Sequence, residues 1–510
     1  MIGSLGWITT TLITTTLLTL FIFLKRKLDF WKNLGVPYIP GSFPFGSIRR
    51  LATFQISTAE LFKEFYDRGE GQKYVGYYTL FKRSLMVRDP ELIKNILVKD
   101  FSTFVDRGVY HNLEDDPLSG HLFSIEGDYW KNLRNKLSPT FTSGKMKTMY
   151  GTVRDLSVNL RNYAKQKAAI DGSVEMKNLT GRFGLDVIAN VALGLEGNNF
   201  NDENSVMKRM TEMMIRPTFF QYMKTLMSLV CKDFIIYTRI RLTPKPVEDF
   251  FMRLIKKNIE YREKMGITRK DFMQLLIDLK DTSFPNDKDI SNGERHKGEK
   301  LTLTLEEIAA QSFVFVLAGF ETSSVTLGFL LYELASHPEI QEKLYRELEA
   351  ASADLSYDVL LNLPYLDMIL SETLRKHPPV PILQRQSKGD YKLPDGKVLP
   401  ADTLVIIPVY GLHHDPKLFP NPEKFIPERF SKENQDKIVP YSYLPFGEGP
   451  RNCIGMRFGK MQIKLAVASI LLHFRIKKSP KTVEPILIEN KSFTYNAKGG
   501  IWLKLVERKK

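Results

Sequence analysis

The stretch FGEGPRNCIG, residues 446–455, decides the fold of this chain. It contains Cys453, one of only two cysteines among 510 residues, and it has glycines on both sides of that cysteine. Glycine permits the sharp turns of a tight loop, and the apolar run from Ile463 to Phe474 predicts a helix after it. The free N–H groups and partial positive charge at a helix start stabilise a thiolate. We therefore expect a lowered pKa for the Cys453 thiol and a sulfur that can bind a metal.

Five positions of this stretch, Phe446, Gly449, Arg451, Cys453 and Gly455, form the pattern F-x-x-G-x-R-x-C-x-G. The loop alone leaves open a buried structural cysteine, since free cysteine is commonly a core residue. The pattern resembles the haem-binding loop of the cytochrome P-450 superfamily. The resemblance implies that the Cys453 thiolate ligates the iron of haem b (iron protoporphyrin IX), which favours O–O cleavage. It also implies that Phe446 and Arg451 contact the cofactor.

The resemblance further implies a mainly α fold with a minor β part. It predicts a single catalytic domain behind an N-terminal membrane anchor. Short strands at Tyr74–Tyr78 and Ser84–Val87, rich in aromatic and branched residues, agree with the minor β part.

A long helix is predicted between Thr304 and Ser336. Thr304 and Glu307 have the spacing of a capping box, and Pro338 stops the helix two residues after Ser336. The helix contains a glycine, Gly319, which costs about 1 kcal/mol relative to alanine in a helix interior. We therefore expect Gly319 to let a flat ligand or O₂ approach the backbone.

An acid and an alcohol, Glu321 and Thr322, follow that glycine in an otherwise apolar helix. By themselves they leave open a hydroxyl bonded to its own helix and an acid at a surface edge. Together with the cysteine loop they resemble the oxygen-activation motif of the superfamily. The resemblance implies that Thr322 hydrogen-bonds the oxygen that is being activated and places a water molecule, and that Glu321 relays protons. Both roles are positioned acid–base catalysis.

Glu372 and Arg375 are spaced i and i+3, so they share a helix face and can form an ion pair. The segment 425–430, FIPERF, resembles the partner segment of the superfamily, which implies that Arg429 joins them in a buried charge cluster. The implied role is structural, and removing one member of such a cluster costs roughly 3–5 kcal/mol. We expect that loss to abolish haem incorporation.

Trp130 and Arg134 lie one helical turn apart. An indole N–H and a guanidinium can together bind a carboxylate, although a packed tryptophan beside a surface arginine is the alternative. The resemblance implies that the pair binds a haem propionate, with Arg451 and Arg385 as further propionate ligands.

Residues 2–24 contain no charged side chain and are followed by KRK at 25–27. About 20 apolar residues span a bilayer, and the basic run belongs on the cytosolic side. A cleaved signal peptide is the alternative, but it would have its basic residues before the apolar run. We therefore predict an anchor at 2–24, a basic and Pro-rich hinge at 25–48, and a catalytic domain at 49–510.

The chain carries a formal charge of +15, from 73 basic and 58 acidic residues. The basic residues are dispersed and no nucleic-acid-binding pattern occurs, so we expect a membrane surface or an acidic protein partner and no nucleic acid. No dinucleotide fingerprint occurs either. The missing nucleotide site, taken with the resemblance, implies electrons from a separate NADPH–cytochrome reductase, with cytochrome b5 as a further partner.

Within the superfamily, FTSGKMK at 141–147 and AGFET at 318–322 resemble the insect detoxification branch (insect family six) and the related vertebrate drug-metabolising branch. The implied function is an endoplasmic reticulum monooxygenase that inserts one atom of O₂ into lipophilic molecules such as plant toxins or insecticides. An endogenous steroid, juvenoid or fatty acid stays open as substrate. A thiolate-haem isomerase or dehydratase, and a haem-binding sensor or carrier, are the alternative functions.

Overall fold

A computed structural model of the chain describes residues 2–202, 205–269, 271–280 and 302–508. The chain is mainly helical, as predicted. Its helices are α1 Ile2–Leu28, α2 Phe30–Asn33, α3 Arg49–Ala52, α4 Thr58–Arg68, α5 Pro90–Lys94, α6 Gly127–Leu137, α7 Ser143–Asp171, α8 Met176–Ile188, α9 Val206–Ile215, α10 Phe219–Val230, α11 Lys232–Tyr237, α12 Lys245–Met265, α13 Phe272–Asp278, α14 Leu305–Ser336, α15 Pro338–Ala350, α16 Tyr357–Leu361, α17 Pro364–Lys376, α18 Val409–His413 and α19 Met456–Leu471.

The strands form the minor part of the fold. They are β1 Tyr74–Thr79, β2 Lys82–Val87, β3 Val174–Glu175, β4 Leu383–Gln386, β5 Tyr391–Lys392, β6 Val398–Leu399, β7 Leu404–Ile407, β8 Phe474–Lys478 and β9 Trp502–Glu507. They pair as a four-stranded sheet in the order β1-β2-β7-β4, a three-stranded sheet in the order β3-β9-β8, and the pair β5-β6. The predicted strands at 74–78 and 84–87 are confirmed as β1 and β2.

Helix α14 runs through the core of the helical part. Its predicted capping box is confirmed: Glu307 N donates to Thr304 Oγ1 at 3.2 Å, and Thr304 N donates to Glu307 Oε2 at 2.8 Å. At 32 residues the helix is roughly 48 Å long. Among the residues whose side chains are described, α14 is the one helix long and apolar enough to cross a membrane, but 67% of its most apolar window is buried. We therefore read α14 as a core helix.

The helices packed on α14 carry the site. Helix α8 approaches closely because Gly181 faces Phe320: a Cβ at Gly181 would lie 3.1 Å from the Phe320 ring. The α17 side chains Ile369 and Leu370 and the α19 side chains Ala466 and Val467 are buried in the same hydrophobic core. The charge pair of α17 and the cysteine loop before α19 are thereby fixed to the α14 scaffold.

The four-stranded sheet belongs to a second hydrophobic core. Strand β4 pairs antiparallel with β7, with Arg385 opposite Val405. The N-terminal segment packs here as well: Trp31 of α2 is buried, and its Nε1 donates to Tyr77 O at 3.0 Å. The segment 25–48, predicted as a basic and Pro-rich hinge, thus contains the end of α1 at Leu28 and the whole of α2.

Candidate active site around Cys453

The cysteine loop ends directly before α19. Gly447 and Gly449 adopt φ values of +69° and +74°, which L-residues rarely adopt. A Cβ at Gly449 would lie 1.9 Å from the backbone oxygen of Leu97, so only glycine fits there. The N–H of Cys453 donates to the carbonyl of Phe446 at 2.9 Å and closes the loop. The geometry therefore explains why the sequence needs glycines on the N-terminal side of the sulfur.

The expected lowering of the Cys453 pKa is wrong in its net direction. The side chain has exposed surface, yet it lies deep among protein atoms, and this burial raises the pKa of the thiol. A hydrogen bond from the Gly455 backbone and the charges of Arg134 and Arg107 oppose the rise without cancelling it. The donors anticipated from the helix start are present, but desolvation of a thiolate outweighs them.

Four arginines, Arg107, Arg134, Arg385 and Arg451, surround this loop. Burial and repulsion from the other three lower the pKa of Arg107 strongly. Burial lowers the pKa of Arg385 to about 9, with a further contribution from Arg451. In the described part of the chain, the one carboxylate paired with this group is that of Asp106, which lies 3.6 Å from Arg451 Nη1. Buried cations of this kind require anions, so the donor set fits a ligand with two carboxylates, such as haem with its propionates.

Two nitrogens of this set remain without hydrogen-bond partners. Arg385 Nε and Arg451 Nε are buried and unpaired within the residues the structure covers. Buried polar groups are nearly always hydrogen-bonded. These unpaired donors, beside an accessible cysteine sulfur, are a second reason why the residues fit a haem.

Trp130 and Arg134 lie on α6 and both face the cysteine loop, but they contact different residues. The Trp130 ring lies 4.5 Å from the guanidinium of Arg451. Arg134 donates to Asn452 O at 3.0 Å and to Asn452 Oδ1 at 2.9 Å. The alternative of a surface arginine does not describe Arg134, because both of its contacts are to the residue before Cys453.

Arg451 also holds the loop that precedes α6. Its Nη1 donates to Val105 O and its Nη2 to Ile125 O, each at 2.6 Å. Arg107 donates to Phe123 O at 2.9 Å from the same loop. Arg107 was not predicted, because it lies in an irregular segment whose spacing carries no signal.

Glu321 of α14 is buried, not at a surface edge. Its Oε1 accepts hydrogen bonds from Lys177 Nζ at 3.0 Å, Thr494 Oγ1 at 3.0 Å and Asn496 Nδ2 at 2.9 Å. Its Oε2 is buried and has no partner in the described part of the chain. One carboxylate oxygen is therefore fixed by three donors, while the other has no hydrogen-bond partner among the described residues. Lys177, Thr494 and Asn496 were not predicted, since they are 144 to 175 residues away in sequence.

Thr322 is half buried, and its Oγ1 donates to Ala318 O at 2.7 Å, one turn back. The backbone bond foreseen as the alternative is therefore present. It uses the hydroxyl hydrogen and leaves the oxygen lone pairs free to accept.

Gly319 has a different neighbour from the one expected. A Cβ at this position would lie 2.8 Å from Ile188 Cδ1 of α8. The glycine thus permits close packing of α8 on α14, and the approach of a flat ligand or O₂ to its backbone stays a prediction.

Glu372, Arg375 and Arg429 come together in the structure. Arg375 donates to both Glu372 oxygens at 2.8 Å, and Arg429 Nε lies 3.3 Å from Glu372 Oε1. Glu372 and Arg375 are fully buried, with 0% of either side chain exposed. The N–H of Ile426 adds a further bond to Glu372 at 3.0 Å.

His413 links this charge cluster to the cysteine loop. Its Nε2 accepts from the N–H of Leu444 at 2.9 Å, and its Nδ1 bonds the carbonyl of Arg375 at 3.1 Å. An imidazole that accepts on one nitrogen and donates on the other is neutral, and burial, with Arg375 nearby, lowers its pKa to about 3. Because both ring nitrogens are hydrogen-bonded to the backbone, His413 has a structural role.

The fold, the loop sulfur and the surrounding arginines define a haem-thiolate protein. The profile of the family described as Cytochrome P450 matches residues 45–503, and the chain belongs to this family. It is 40% identical over 502 residues to probable cytochrome P450 6a14 of Drosophila melanogaster, covering 94% of this chain and 95% of that protein. It is also 40% identical to cytochrome P450 6A1 of Musca domestica, covering 94% of each chain.

A third relative, cytochrome P450 6a2 of Drosophila melanogaster, is 39% identical over 494 residues. These comparisons confirm the resemblance to the superfamily and to its insect family six. The protein is a haem-dependent monooxygenase that uses O₂ and electrons from NADPH.

Proposed function

We propose that this monooxygenase oxidises lipophilic foreign compounds, such as plant toxins and insecticides, with electrons delivered by NADPH–cytochrome reductase and assisted by cytochrome b5. The observation that carries the proposal is the accessible Cys453 sulfur beside four mutually repelling arginines. The identity to insect family six proteins over nearly the whole chain supports the substrate class.

The residues that would hold the haem follow from this arrangement. Cys453 would ligate the iron, and Arg107, Arg134, Arg385 and Arg451 would neutralise the propionates. Haem with a thiolate ligand supplies the chemistry that splits O₂, so that one oxygen atom enters the substrate and the other becomes water. Trp130 would orient Arg451 by stacking on its guanidinium.

Proton delivery is assigned to Glu321 and Thr322. Glu321 Oε2 would carry the proton, since Oε1 is bonded to three donors. Both Glu321 and Asn496 line a cavity of about 520 Å³, which would supply protons from solvent. Thr322 Oγ1 would accept a hydrogen bond from a water molecule and position it in the proton path, because its own hydrogen is directed to Ala318 O.

We further propose that the chain works at the endoplasmic reticulum membrane, with residues 2–24 as the anchor, residues 25–48 as the connection, and the catalytic domain from residue 49 in the cytoplasm. The uncharged N-terminal segment and its basic end support this orientation. Phe219 and Phe220 at the start of α10 are 55% and 77% exposed. Exposed aromatic side chains of this size suit a membrane surface.

The ligand assignment is tested by the absorbance of the reduced protein with CO. Cys453→Ala should lose the band typical of thiolate-ligated haem, whereas Cys231→Ala, the matched control at the other cysteine, should keep it. Survival of the band in Cys453→Ala would contradict the assignment.

Turnover separates the three candidate functions. A monooxygenase forms oxygenated product only with NADPH and added reductase, and a panel of plant toxins, insecticides, steroids and fatty acids measures its preference. Turnover without NADPH would identify an isomerase or dehydratase, and haem binding without any turnover would identify a sensor or carrier.

A further inference from the structure

A cavity of about 970 Å³ lies where the end of α1 meets the β1–β2 turn and the junction of α10 and α11. Six basic and four acidic side chains line it, an excess of two positive charges. None of the basic residues belongs to the haem site. They are Arg26, Lys27, Lys82, Arg83, Lys232 and Lys388.

Two of the six cations already have partners. Lys232 Nζ lies 3.0 Å from Glu126 Oε1, and Lys388 Nζ lies 3.2 Å from Asp106 Oδ2. Glu126 balances Lys232, whereas Asp106 is shared between Lys388 and Arg451.

The other four cations have no carboxylate within 4.0 Å in the described part of the chain. Lys82 Nζ donates to the carbonyl of Leu229 at 3.2 Å, and burial lowers the pKa of this lysine. Arg83 donates to Thr403 Oγ1 at 3.2 Å and to Ala401 O at 2.8 Å. Partial charges on carbonyl and hydroxyl oxygens compensate a buried cation less well than an anion does. Asp402 and Asp233 also line the cavity and attract Lys82, but the lining keeps its excess of two positive charges, so the cavity favours a negatively charged occupant.

The position of the cavity identifies the source of that occupant. Lys27 and Arg26 end α1, at the level where the proposed anchor leaves the bilayer. Phe23, one turn earlier on α1, lines the same cavity, is 52% exposed, and its ring lies 4.8 Å from Lys27 Nζ. Aromatic and cationic side chains together mark the headgroup layer, and Arg and Lys both bind phosphate.

We propose that this cavity binds the phosphate headgroup of an anionic phospholipid. The proposal uses the membrane placement given above but not the monooxygenase activity. A bound headgroup would tie the end of α1 to β2 through Lys27, Lys82 and Arg83. It would thereby fix the orientation of the catalytic domain on the membrane.

The test measures binding of short-chain phosphatidylserine to the haem-loaded full chain in detergent, by calorimetry. The double variant Lys82→Gln/Arg83→Gln removes two cavity charges. Each basic residue near an anionic lipid contributes about 1 kcal/mol, so affinity should fall about 30-fold. The matched control, Lys477→Gln/Lys504→Gln, removes two charges from a facing pair on β8 and β9, where both side chains are exposed, and should bind like the unmodified chain.

Two further measurements keep the test decisive. Arg26→Gln/Lys27→Gln lies on α1 and disturbs no bond of the sheet, so it should weaken binding even if the first variant folds poorly. Short-chain phosphatidylcholine should bind weakly. Equal losses in cavity and control variants would mean diffuse attraction and would overturn the proposal, and so would inorganic phosphate binding as tightly as phosphatidylserine.

The CO band and turnover report separately on the haem site. Both should persist in the cavity variants, so a failed lipid site and a failed monooxygenase assignment give different results.

Discussion

Replacing Glu372 with glutamine would remove the charge at the centre of the buried cluster while keeping its shape. Glu372 accepts from Arg375, Arg429 and the N–H of Ile426. Glutamine retains one oxygen and turns an NH₂ group toward a guanidinium. Arg375, with 0% of its side chain exposed, would keep carbonyl partners such as His413 O at 2.9 Å but lose its only carboxylate among the described residues.

The contacts in the structure predict how much each of three substitutions lowers the free energy of unfolding. Leaving Arg375 buried without its counter-ion should lower the free energy of unfolding by about 3–5 kcal/mol. Arg429→Gln loses the 3.3 Å contact to Glu372 and a 2.7 Å hydrogen bond to Asn421 O, from a side chain that is 12% exposed. It should cost about 2 kcal/mol, within the range for bonds to a charged group. Glu428→Gln, the neighbouring control, breaks an exposed pair with Lys343 and should cost at most about 1 kcal/mol.

Guanidinium unfolding of the haem-loaded chain measures this ranking. Tryptophan fluorescence reports the fold and haem absorbance reports the cofactor, each against denaturant concentration. Glu372→Gln should shift both midpoints down most and should incorporate the least haem during expression. If Glu372→Gln and Glu428→Gln unfold at the same denaturant concentration, the buried charge cluster does not stabilise the fold more than an exposed ion pair does.

Three other predictions concern the loop, the proton path and acid stability. Gly449→Ala should abolish haem incorporation, because its Cβ would overlap a backbone oxygen at 1.9 Å; Gly144→Ala, with nothing within 4 Å of its Cβ, should incorporate haem normally. Asn496→Ala removes a hydrogen-bond donor to the Glu321 carboxylate. The ratio of product formed to NADPH consumed should therefore fall, and the solvent isotope effect on turnover should rise. An unchanged isotope effect would exclude a role of Asn496 in positioning Glu321. Burial lowers the pKa of His413 to about 3, against an ordinary 6.5, so its contribution to stability is present above pH 6.5 and is lost as pH falls. Between pH 7.5 and 5 this residue should lower the free energy of unfolding by about 2 kcal/mol. In His413→Gln that part of the decrease should be absent.

Short-range patterns in the sequence predicted the local features correctly. The capping box of Thr304 and Glu307 fixes where α14 begins, since both partners lie within one turn. The strands of the first hairpin follow from their own aromatic and branched residues. The pair Glu372 and Arg375 also lies within one turn, so its contact was predictable.

Contacts between distant segments were not predictable from spacing. Arg107 reaches the cysteine loop from an irregular segment 344 residues earlier, where no periodicity marks it. Asn496 reaches Glu321 from a loop near the C-terminus. The packing role of Gly319 was not predictable, because its neighbour, Ile188, lies on another helix.

By itself the sequence determined the family, the cysteine loop and the start of α14, because glycine, cysteine and cap residues act through their own backbone and nearest turn. The tertiary structure alone decided the charge environment. Burial raises the pKa of the Cys453 thiol where the helix start predicted a decrease. Arg107, Arg134 and Arg385, from three separate segments, converge on the loop that carries Arg451. Desolvation and long-range electrostatics depend on what surrounds a group in three dimensions, and residue spacing along the chain does not encode that.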